Sequence, residues 1–383
     1  MTVAAHCSHR AKSRRVLQLI PFLWSGAGGV VTHLCTALAR EKQVMIATTG
    51  HFGALCDWPS YRRRLRDAGV EWLRLDLFQR DSETFWDSVA RLRDLLENWK
   101  PDLVHAHAGV STCAAALARD QSRHQPPLLG QMYSWGVGRP AWMNWMDAWG
   151  FSRADRVVCS AWAYADTLRS LGVPWRKIVY LPWGIPLPAR KKDAAREKTM
   201  GAPIIGFVGR IEPRKGQLDL VKAFHQVLRH IPEAILEMIG PVADEAYEST
   251  IRAYLERHGL TSSVRICGYV RKVDVRVRSW AAFVSLSRDE GQGLAAIEAM
   301  ALGVPVAALP VAGVADYLQD GITGFSLGSA APTAVAARLI KMLRSQQQVR
   351  AVALRAERLV RRRYDWANTL LAFNRLYREL KRD

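Results

Sequence analysis

Short apolar runs alternate with longer stretches of helical periodicity along most of the chain. The first half begins with the apolar run Val16–Leu23, the helical stretch Gly29–Arg40 and the apolar run Val44–Thr48. This alternation is typical of repeated βαβ units around a parallel sheet. Further strands are predicted at Leu103–His105, Leu128–Gln131, Arg156–Cys159 and Ile178–Leu181. The first half is therefore predicted to form one α/β domain.

The alternation stops at residues 186–202 and then resumes. Pro186, Pro188 and the charged run Arg190–Lys198 predict a linker in that segment. Later strands are predicted at Ile204–Val208, Ala234–Ile239, Val264–Ile266, Ala282–Leu286 and Val304–Ala308. The pattern predicts two doubly wound α/β domains, residues 1–186 and residues 187–365.

The end of the chain has the pattern of an amphipathic helix. Leu370, Phe373, Tyr377 and Leu380 recur at helical spacing, with arginines between them. We predict a closing helix over about residues 366–383 that packs back onto the N-terminal domain. A length of 383 residues and a hydrophobic content of 49% agree with two packed cores.

The charge balance indicates an anionic partner. Lys and Arg number 54 against 35 Asp and Glu, which gives a net charge of +19. A nucleic acid, an anionic membrane surface or a phosphate-bearing small molecule would each fit, and composition does not choose among them. The nucleic-acid alternative is disfavoured because no nucleic-acid-binding motif accompanies the basic cluster Arg361–Arg363.

Several classes of protein are disfavoured by the sequence. The six cysteines form no C-x-x-C pair, so we predict no metal site. No secretory signal is recognised, and the longest uncharged apolar stretch, Ala299–Ala315, contains Gly303 and Pro305 among its helix breakers. We predict a cytoplasmic protein with reduced thiols, either free or bound at the inner face of the cytoplasmic membrane.

The first candidate motif is Gly26–His33, directly after the first predicted strand. Its glycines allow backbone to approach a phosphate, and the following helix offers N–H donors. Val31 occupies the place of the third glycine of the dinucleotide fingerprint, and no acidic residue ends the second strand. A nicotinamide cofactor is therefore disfavoured, and the alternative is a tight strand-to-helix turn.

The second motif is the strand Asp102–His107, which ends in polar residues. His107 is a candidate for a hydrogen bond to a sugar hydroxyl or a phosphate oxygen, whereas His105 is expected to pack within the strand. The alternative for His107 is a core histidine whose hydrogen bonds are satisfied internally.

The third motif, Gly206–Gly216, joins a buried strand to a helix. Arg210 and Lys215 near that helix N-terminus could bind a diphosphate, and the spacing is not that of a P-loop. The alternative is a solvated basic loop.

The fourth motif, Glu290–Glu298, is the most informative. The glycines at 291 and 293 would free backbone N–H groups for a phosphate, while Glu290 could bind a hydroxyl. Glu298 lies in an otherwise apolar helix, where a carboxylate needs a partner.

Together these motifs resemble the family 4 glycosyltransferases, which are retaining, use nucleotide sugars and have the GT-B fold. The resemblance covers nearly the whole chain and is more specific in the C-terminal half. The matching residues are Gly28, Gly29 and His33; Gly209, Arg210, Lys215 and Gly216; Glu290 and Glu298; Gly313–Asp316; Asp320–Gly324; and Leu181–Ile185.

The resemblance implies roles for individual residues. Arg210 and Lys215 would bind the donor diphosphate, Glu290 the donor sugar and Glu298 the ribose, with His107 near the sugar. The implied donor-binding residues are Gly28, Gly29, Arg210, Lys215, Val270, Glu290, Gly291, Gly293, Leu294 and Glu298, and the implied catalytic residues are Glu290, Arg210, Lys215 and His107. The implied reaction is transfer of a sugar, from UDP by family frequency, with neither metal nor cofactor.

The chain departs from the family pattern at four places. Trp183 stands where Asn is common, Gln292 where Phe is frequent and Asp316 where Glu is commoner. The segment Met132–Trp135 replaces the usual Thr-x-His. The last departure weakens what the resemblance implies about the acceptor.

An aromatic segment, residues 132–151, is the candidate for the acceptor site. Trp142, Trp145 and Trp149 would share one face of a helix, and we predict Tyr133, Trp135 and Trp142 to be acceptor-binding. The face could stack on sugar rings, contact a membrane interface or pack in the core. We expect a lipid-linked or growing saccharide acceptor in cell-envelope, lipopolysaccharide or exopolysaccharide synthesis. An epimerase or a phosphorylase of the same fold is the alternative.

Overall fold

The structure is a computed structural model that describes residues 14–23, 25–49, 58–77, 82–135, 141–189 and 201–380. These residues form two sheets in which every strand pair is parallel. Strands that are covered by helices on both faces have near-continuous apolar sequences. Most strands of this chain have such sequences.

The N-terminal sheet has seven strands in the order β3-β2-β1-β4-β5-β6-β7. The strands are β1 (Arg15–Leu19), β2 (Gln43–Thr48), β3 (Glu71–Arg74), β4 (Leu103–His107), β5 (Leu128–Met132), β6 (Arg156–Cys159) and β7 (Ile178–Tyr180). The helices are α1 (Ser25–Leu38), α2 (Trp58–Asp67), α3 (Ser82–Trp99), α4 (Gly109–Asp120), α5 (Ala141–Arg153) and α6 (Trp162–Ser170).

The C-terminal sheet has six strands in the order β10-β9-β8-β11-β12-β13. The strands are β8 (Ile204–Val208), β9 (Ile235–Ile239), β10 (Val264–Ile266), β11 (Ala282–Ser285), β12 (Val306–Ala308) and β13 (Phe325–Ser326). The helices are α7 (Gln217–Leu228), α8 (Glu245–Arg257), α9 (Val273–Val277), α10 (Leu294–Ala301), α11 (Ala312–Ala315), α12 (Pro332–Arg344), α13 (Gln346–Arg363) and α14 (Trp366–Glu379).

The chain crosses between the two domains at two adjacent places. The Ile185 N–H donates to the Tyr364 carbonyl (2.8 Å), and the Trp366 N–H donates to the Ile185 carbonyl (3.0 Å). After the second crossing α14 packs on the N-terminal core, where Phe373 and Tyr377 are fully buried. The last helix thus belongs structurally to the first domain.

The predicted architecture of two doubly wound sheets is confirmed. Strands β6, β8 and β10 have the predicted bounds. The sequence missed β3 and β13, because β3 has charged residues at both ends and β13 is two residues long. Helix α1 begins at Ser25 rather than at Gly29, so the glycines lie in its first two turns. Most of the predicted linker run, residues 190–200, lies outside the described residues.

The strand orders identify where a ligand should bind. Strand order reverses between β1 and β4 in one sheet and between β8 and β11 in the other. Ligands of open α/β sheets bind beyond the carboxyl ends of the strands at such a reversal. Each of the four motifs singled out in the sequence lies in one of these four strands or between that strand and the first turns of the next helix, so the fold places all of them near the two reversals.

Candidate active site

The C-terminal side of the candidate site joins the loops after β8 and β11. Lys215 Nζ donates to Glu290 Oε1 (2.5 Å), and Arg210 forms an ion pair with Glu212 (3.1 Å). Lys215 and Glu290 are 75 residues apart in the chain. They meet because β8 and β11 are neighbours at the reversal of strand order.

Arg214 also links the two loops, and the sequence did not single it out. Its guanidinium donates to the Asp289 carbonyl (2.7 Å) and to Glu212 Oε1 (3.0 Å). The Arg288 N–H donates to the Arg214 carbonyl (2.9 Å). Arg214 thus holds the two loops in their relative position. In the sequence, the one signal for this role was that Arg214 is the neighbour of Lys215.

Two glycines let helices begin directly at the site. Gly216 and Gly293 precede α7 and α10 and have φ values of 72° and 71°. A Cβ on Gly216 would lie 2.7 Å from the Leu286 carbonyl oxygen, and one on Gly293 would lie 2.8 Å from Tyr317 Oη. The first N–H groups of a helix lack intrahelical acceptors and bind anions readily, so the helix starts suit a phosphate.

Glu298 lies one turn into α10. Its side chain is open to solvent, yet protein surrounds it closely enough that desolvation raises the pKa of its carboxyl to about 7. Glu298 can therefore change charge near neutral pH.

Val270, the weakest of the implied donor contacts, is placed near the same sheet edge. It is half-buried and follows β10, beyond Gly268, whose carbonyl accepts from the Gly240 N–H (2.8 Å). Strand β9 separates β10 from β8. The position is thus one strand away from the Lys215 loop.

The N-terminal side of the candidate site is a buried polar network. His107 Nε2 is 2.7 Å from Gln18 Oε1, and its Nδ1 is 2.8 Å from Tyr133 Oη. Gln18 Nε2 in turn donates to Tyr377 Oη (3.1 Å), which lies 2.8 Å from His105 Nδ1. The network connects β1, β4 and the residue that follows β5 to the closing helix α14.

The Gln18 amide fixes the direction of these hydrogen bonds. Because Gln18 Nε2 donates to Tyr377, its Oε1 must accept, so His107 carries its proton on Nε2. The Nδ1 atom then accepts from the Tyr133 hydroxyl. Burial lowers the pKa of His107 to about 3, so the ring is neutral. Contact between His107 and a sugar would require one of its two hydrogen bonds to be exchanged.

The glycines of α1 have different surroundings. A Cβ on Gly28 would lie 2.6 Å from the Leu23 carbonyl carbon, whereas one on Gly29 would come no nearer than 3.9 Å to Tyr61 Oη. Gly28 is thus needed for a close backbone approach. A Cβ on Gly26 would be 3.2 Å from Leu294 Cδ1, so the start of α1 reaches the start of α10.

Other contacts hold the two sides of the cleft together. Gly291 lies against the Tyr133 backbone, where an added Cβ would be 2.3 Å from the Tyr133 carbonyl oxygen. Ser160 Oγ donates to the Gly291 carbonyl (3.2 Å), and Tyr164 Oη donates to Asp289 Oδ1 (2.7 Å). The sequence did not identify Ser160, Tyr164 or Asp289, since the pairing arises from tertiary structure.

Comparison with known proteins identifies the family. The family model "Glycosyltransferase Family 4" matches residues 24–187, and the model "Glycosyl transferases group 1" matches residues 189–359. The chain belongs to glycosyltransferase family 4. The predicted resemblance is confirmed, and the protein is a glycosyltransferase with the GT-B fold.

Relatives of this family 4 glycosyltransferase include enzymes with different names. It is 27% identical over 303 residues to glycogen synthase from Mycobacterium tuberculosis, covering 74% of this chain and 70% of that protein. It is 28% identical over 294 residues to D-inositol 3-phosphate glycosyltransferase from Segniliparus rotundus, covering 71% and 65%.

Solved structures share the fold. HepE from Anabaena, crystallised with UDP and glucose, has a TM-score of 0.80 at 16% identity, covering 96% of this chain and 100% of that chain. Sucrose-phosphate synthase from Thermosynechococcus elongatus has a TM-score of 0.80 at 21% identity, covering 96% and 99%.

Two departures from the family pattern are bonded to each other. Gln292 Oε1 accepts from the Trp183 N–H (2.7 Å), and Gln292 Nε2 donates to the Trp183 carbonyl (2.6 Å). Both residues are buried, and the Trp183 ring stacks on Tyr133 and Trp366. In this glycosyltransferase, two hydrogen bonds thus join the loop between β11 and α10 to the segment that precedes the linker.

The third departure also lies where the domains meet. Asp316 accepts from the Trp162 N–H (3.2 Å) and from Tyr180 Oη (3.1 Å). All three single-residue departures therefore form contacts between the domains. None of them replaces Lys215 or Glu290.

The aromatic residues of α5 do not pack in the core. Trp142 and Trp145 are 63% and 66% exposed, and Trp149 is 39% exposed. The opposite face of the helix, with Ala148 and Phe151, is buried. The interpretation of this row of tryptophans as core residues is therefore wrong. Trp135, in contrast, packs partly buried against the N-terminal core.

Within the described ranges, no three His, Cys, Asp or Glu side chains are grouped as a metal site would require. In the same part of the chain, no helix is both long and apolar enough to span a bilayer.

Proposed function

We propose that this glycosyltransferase moves a sugar from a UDP-linked donor to an acceptor hydroxyl with retention of configuration, and that it needs neither a metal nor a cofactor. The observation that carries the proposal is the Lys215–Glu290 pair at the reversal of strand order, with Arg210 in the same loop as Lys215. Two cations and the starts of α7 and α10 converge where a diphosphate would lie.

The proposed chemistry is mainly electrostatic. The bond between the anomeric carbon and the diphosphate oxygen breaks, and the diphosphate keeps the electron pair. Arg210, Lys215 and the N–H groups that begin α10 stabilise the developing charge. The acceptor hydroxyl attacks from the same face, and its proton passes to the departing phosphate oxygen.

Other side chains would hold the donor. Glu290, positioned by Lys215, would orient the sugar hydroxyls, and Glu298 would accept hydrogen bonds from the ribose. Backbone near Gly28 and Gly29 would contact the diphosphate from the N-terminal side, and Val270 would lie near the base. His107 would act near the sugar, either directly or by holding Tyr133.

UDP is favoured as the donor nucleotide because HepE, which has the same fold, was crystallised with UDP and glucose. The names of the relatives span glycogen, inositol phosphate and trehalose chemistry, so the acceptor needs its own argument. We propose a lipid-linked or growing saccharide of the cell envelope or an exopolysaccharide, bound near Tyr133 and Trp135.

We further propose that the exposed face of α5, formed by Trp142, Trp145 and Trp149, rests on the inner face of the cytoplasmic membrane. Tryptophan is suited to the membrane interface, and the net charge of +19 would attract anionic lipids. This contact would bring a lipid-linked acceptor to the cleft.

A donor panel tests the reaction. UDP-, GDP- and ADP-sugars are incubated with and without saccharide and lipid-linked acceptors, and nucleotide release and anomeric configuration are followed by NMR. We expect UDP release that depends on an acceptor, retains the configuration of the donor and persists in EDTA. Isomerised donor without transfer would indicate an epimerase, and sugar 1-phosphate formed from a saccharide and orthophosphate, without any nucleotide, would indicate a phosphorylase.

A further inference from the structure

A second basic concavity lies outside the donor loops. It has a volume of about 450 Å³ and is formed by the segment 316–323 and the C-terminal half of α13. Four arginines of α13 line it, at positions 355, 358, 362 and 363. The one carboxylate in its wall is Asp316, so the lining carries an excess of positive charge.

Two of these arginines are occupied within the protein. Arg355 donates to the carbonyls of Ile322 (2.8 Å) and Gly321 (2.9 Å). Arg363 donates to Tyr180 Oη (2.6 Å) and to the Asp316 carbonyl (3.3 Å). These bonds fix the walls of the pocket.

The other two, Arg358 and Arg362, are exposed, and their guanidinium groups have no hydrogen bond or ion pair with any residue that the structure describes. They are four positions apart on α13, where Cβ atoms lie ~6 Å from each other and like charges repel. The helix dipole favours cations only in the last turn, so it does not explain Arg355 or Arg358.

We propose that this pocket binds a phosphate-bearing ligand distinct from the donor diphosphate. The planar guanidinium group matches two oxygens of a phosphate at once, and two unpaired guanidinium groups beside one cavity can share a dianion. The volume leaves room for a small polar group that carries the phosphate. That group is either a soluble metabolite or a lipid headgroup.

The pocket adjoins residues that contact the donor loop. Tyr317, in the pocket wall, donates its hydroxyl to the Gly293 carbonyl (3.2 Å). Asp316 and Arg363 both bond Tyr180 of the N-terminal domain. An anion held by Arg358 and Arg362 would therefore lie behind the donor loop and beside a contact between the domains, so we expect its binding to change the affinity for UDP.

Titration calorimetry in saturating UDP, which occupies the donor site, tests the proposal. The probes are inorganic phosphate, glycerol 1-phosphate, vesicles of phosphatidylglycerol and vesicles of phosphatidylcholine. The test variant is Arg358→Gln with Arg362→Gln. The matched control is Arg344→Gln with Arg350→Gln, which removes the same charge from exposed positions outside the pocket.

We expect at least one phosphate probe to bind the wild type and to bind the test variant about tenfold or more weakly, with the control unchanged. Loss of glycerol 1-phosphate binding indicates a soluble ligand, and loss confined to phosphatidylglycerol vesicles indicates a lipid headgroup. Equal weakening in test and control variants, or binding of no phosphate probe to the wild type, would overturn the proposal. Transfer activity measured without the probes should be the same in both variants, which separates this result from the proposed function.

Discussion

The two sides of the cleft use their polar residues differently. On the C-terminal side, Lys215 and Glu290 bond to each other on loops, in reach of a ligand. On the N-terminal side, His107 and Gln18 are fully buried and bonded to each other within the sheet. The charged pair on the C-terminal side is thus within reach of a ligand, while the polar groups on the N-terminal side bond to one another and stabilise that wall of the cleft.

The largest effect is expected from Lys215→Ala. This change removes a cation from the leaving diphosphate and leaves Glu290 without its partner. We expect kcat/KM to fall by about 10²–10³. The melting temperature should change little, because the pair lies on loops. Steady-state kinetics with the donor found in the panel measures the effect.

Lys341→Ala is the matched control for this variant, since it removes one positive charge from an exposed position on α12. Its kinetics should equal those of the wild type. If Lys215→Ala keeps full turnover, the assignment of the diphosphate site to the β8 and β11 loops is wrong.

The second variant, His107→Leu, tests the opposite side. It leaves Gln18 Oε1 and the Tyr133 hydroxyl without their partner in a buried network, and each unsatisfied group costs about 1–3 kcal/mol. We expect a clear loss of stability in urea unfolding. The control His230→Leu changes an exposed histidine and should leave stability unchanged.

If His107→Leu has the stability of the wild type but loses transfer activity, the structural role assigned to His107 is wrong. That result would place His107 among the groups that touch the donor sugar, as the family resemblance implies. A fall in stability together with a raised KM for the donor would instead agree with a positioning role through Tyr133.

The difference between the two sides also explains how far the sequence could be interpreted. Arg210, Lys215, Glu290 and Glu298 were identifiable because each lies in a short motif that follows a strand and opens a helix. The β–α alternation likewise predicted both sheets, since buried parallel strands are continuous apolar runs. Local sequence was thus sufficient to predict those features that depend on residues close together in the chain.

The remainder depends on residues that are distant in the chain. His105 bonds Tyr377, which is 272 positions away, and Gln292 bonds the backbone of Trp183, 109 positions away. No spacing rule predicts such pairs. Gln292 and Trp183 appeared as two unrelated departures from the family pattern, and the structure explains them as one contact.

A smaller effect is expected from pH, through Glu298. Its carboxyl has a pKa of about 7, so it is mostly protonated at pH 6 and mostly ionised at pH 8. The ionised form accepts hydrogen bonds from ribose hydroxyls more strongly than the neutral form does. We therefore expect UDP to bind up to about tenfold more tightly at pH 8 than at pH 6.

Glu298→Gln removes this titration and should give weak binding with a reduced dependence on pH. The uridine nucleoside, which lacks phosphates, serves as a matched ligand because its own ionisation does not change over this range. If uridine binding by the wild type is independent of pH while UDP binding is not, the titrating group lies on the phosphate side and the ribose role of Glu298 is wrong.

The smallest effect on stability is expected at the exposed face of α5. Trp142→Ala combined with Trp145→Ala removes rings that are 63% and 66% exposed, so the free energy of unfolding should change by less than about 0.5 kcal/mol per site. Each ring would contribute apolar area to a membrane contact, so flotation with anionic vesicles at low salt should fall by about tenfold or more. The control is Leu371→Ala, which changes an apolar residue of α14 that is 68% exposed. Its flotation with the vesicles should equal that of the wild type. Equal flotation of all three proteins would discard the membrane contact. Lost transfer to a soluble saccharide with unchanged flotation would instead make this face part of the acceptor site.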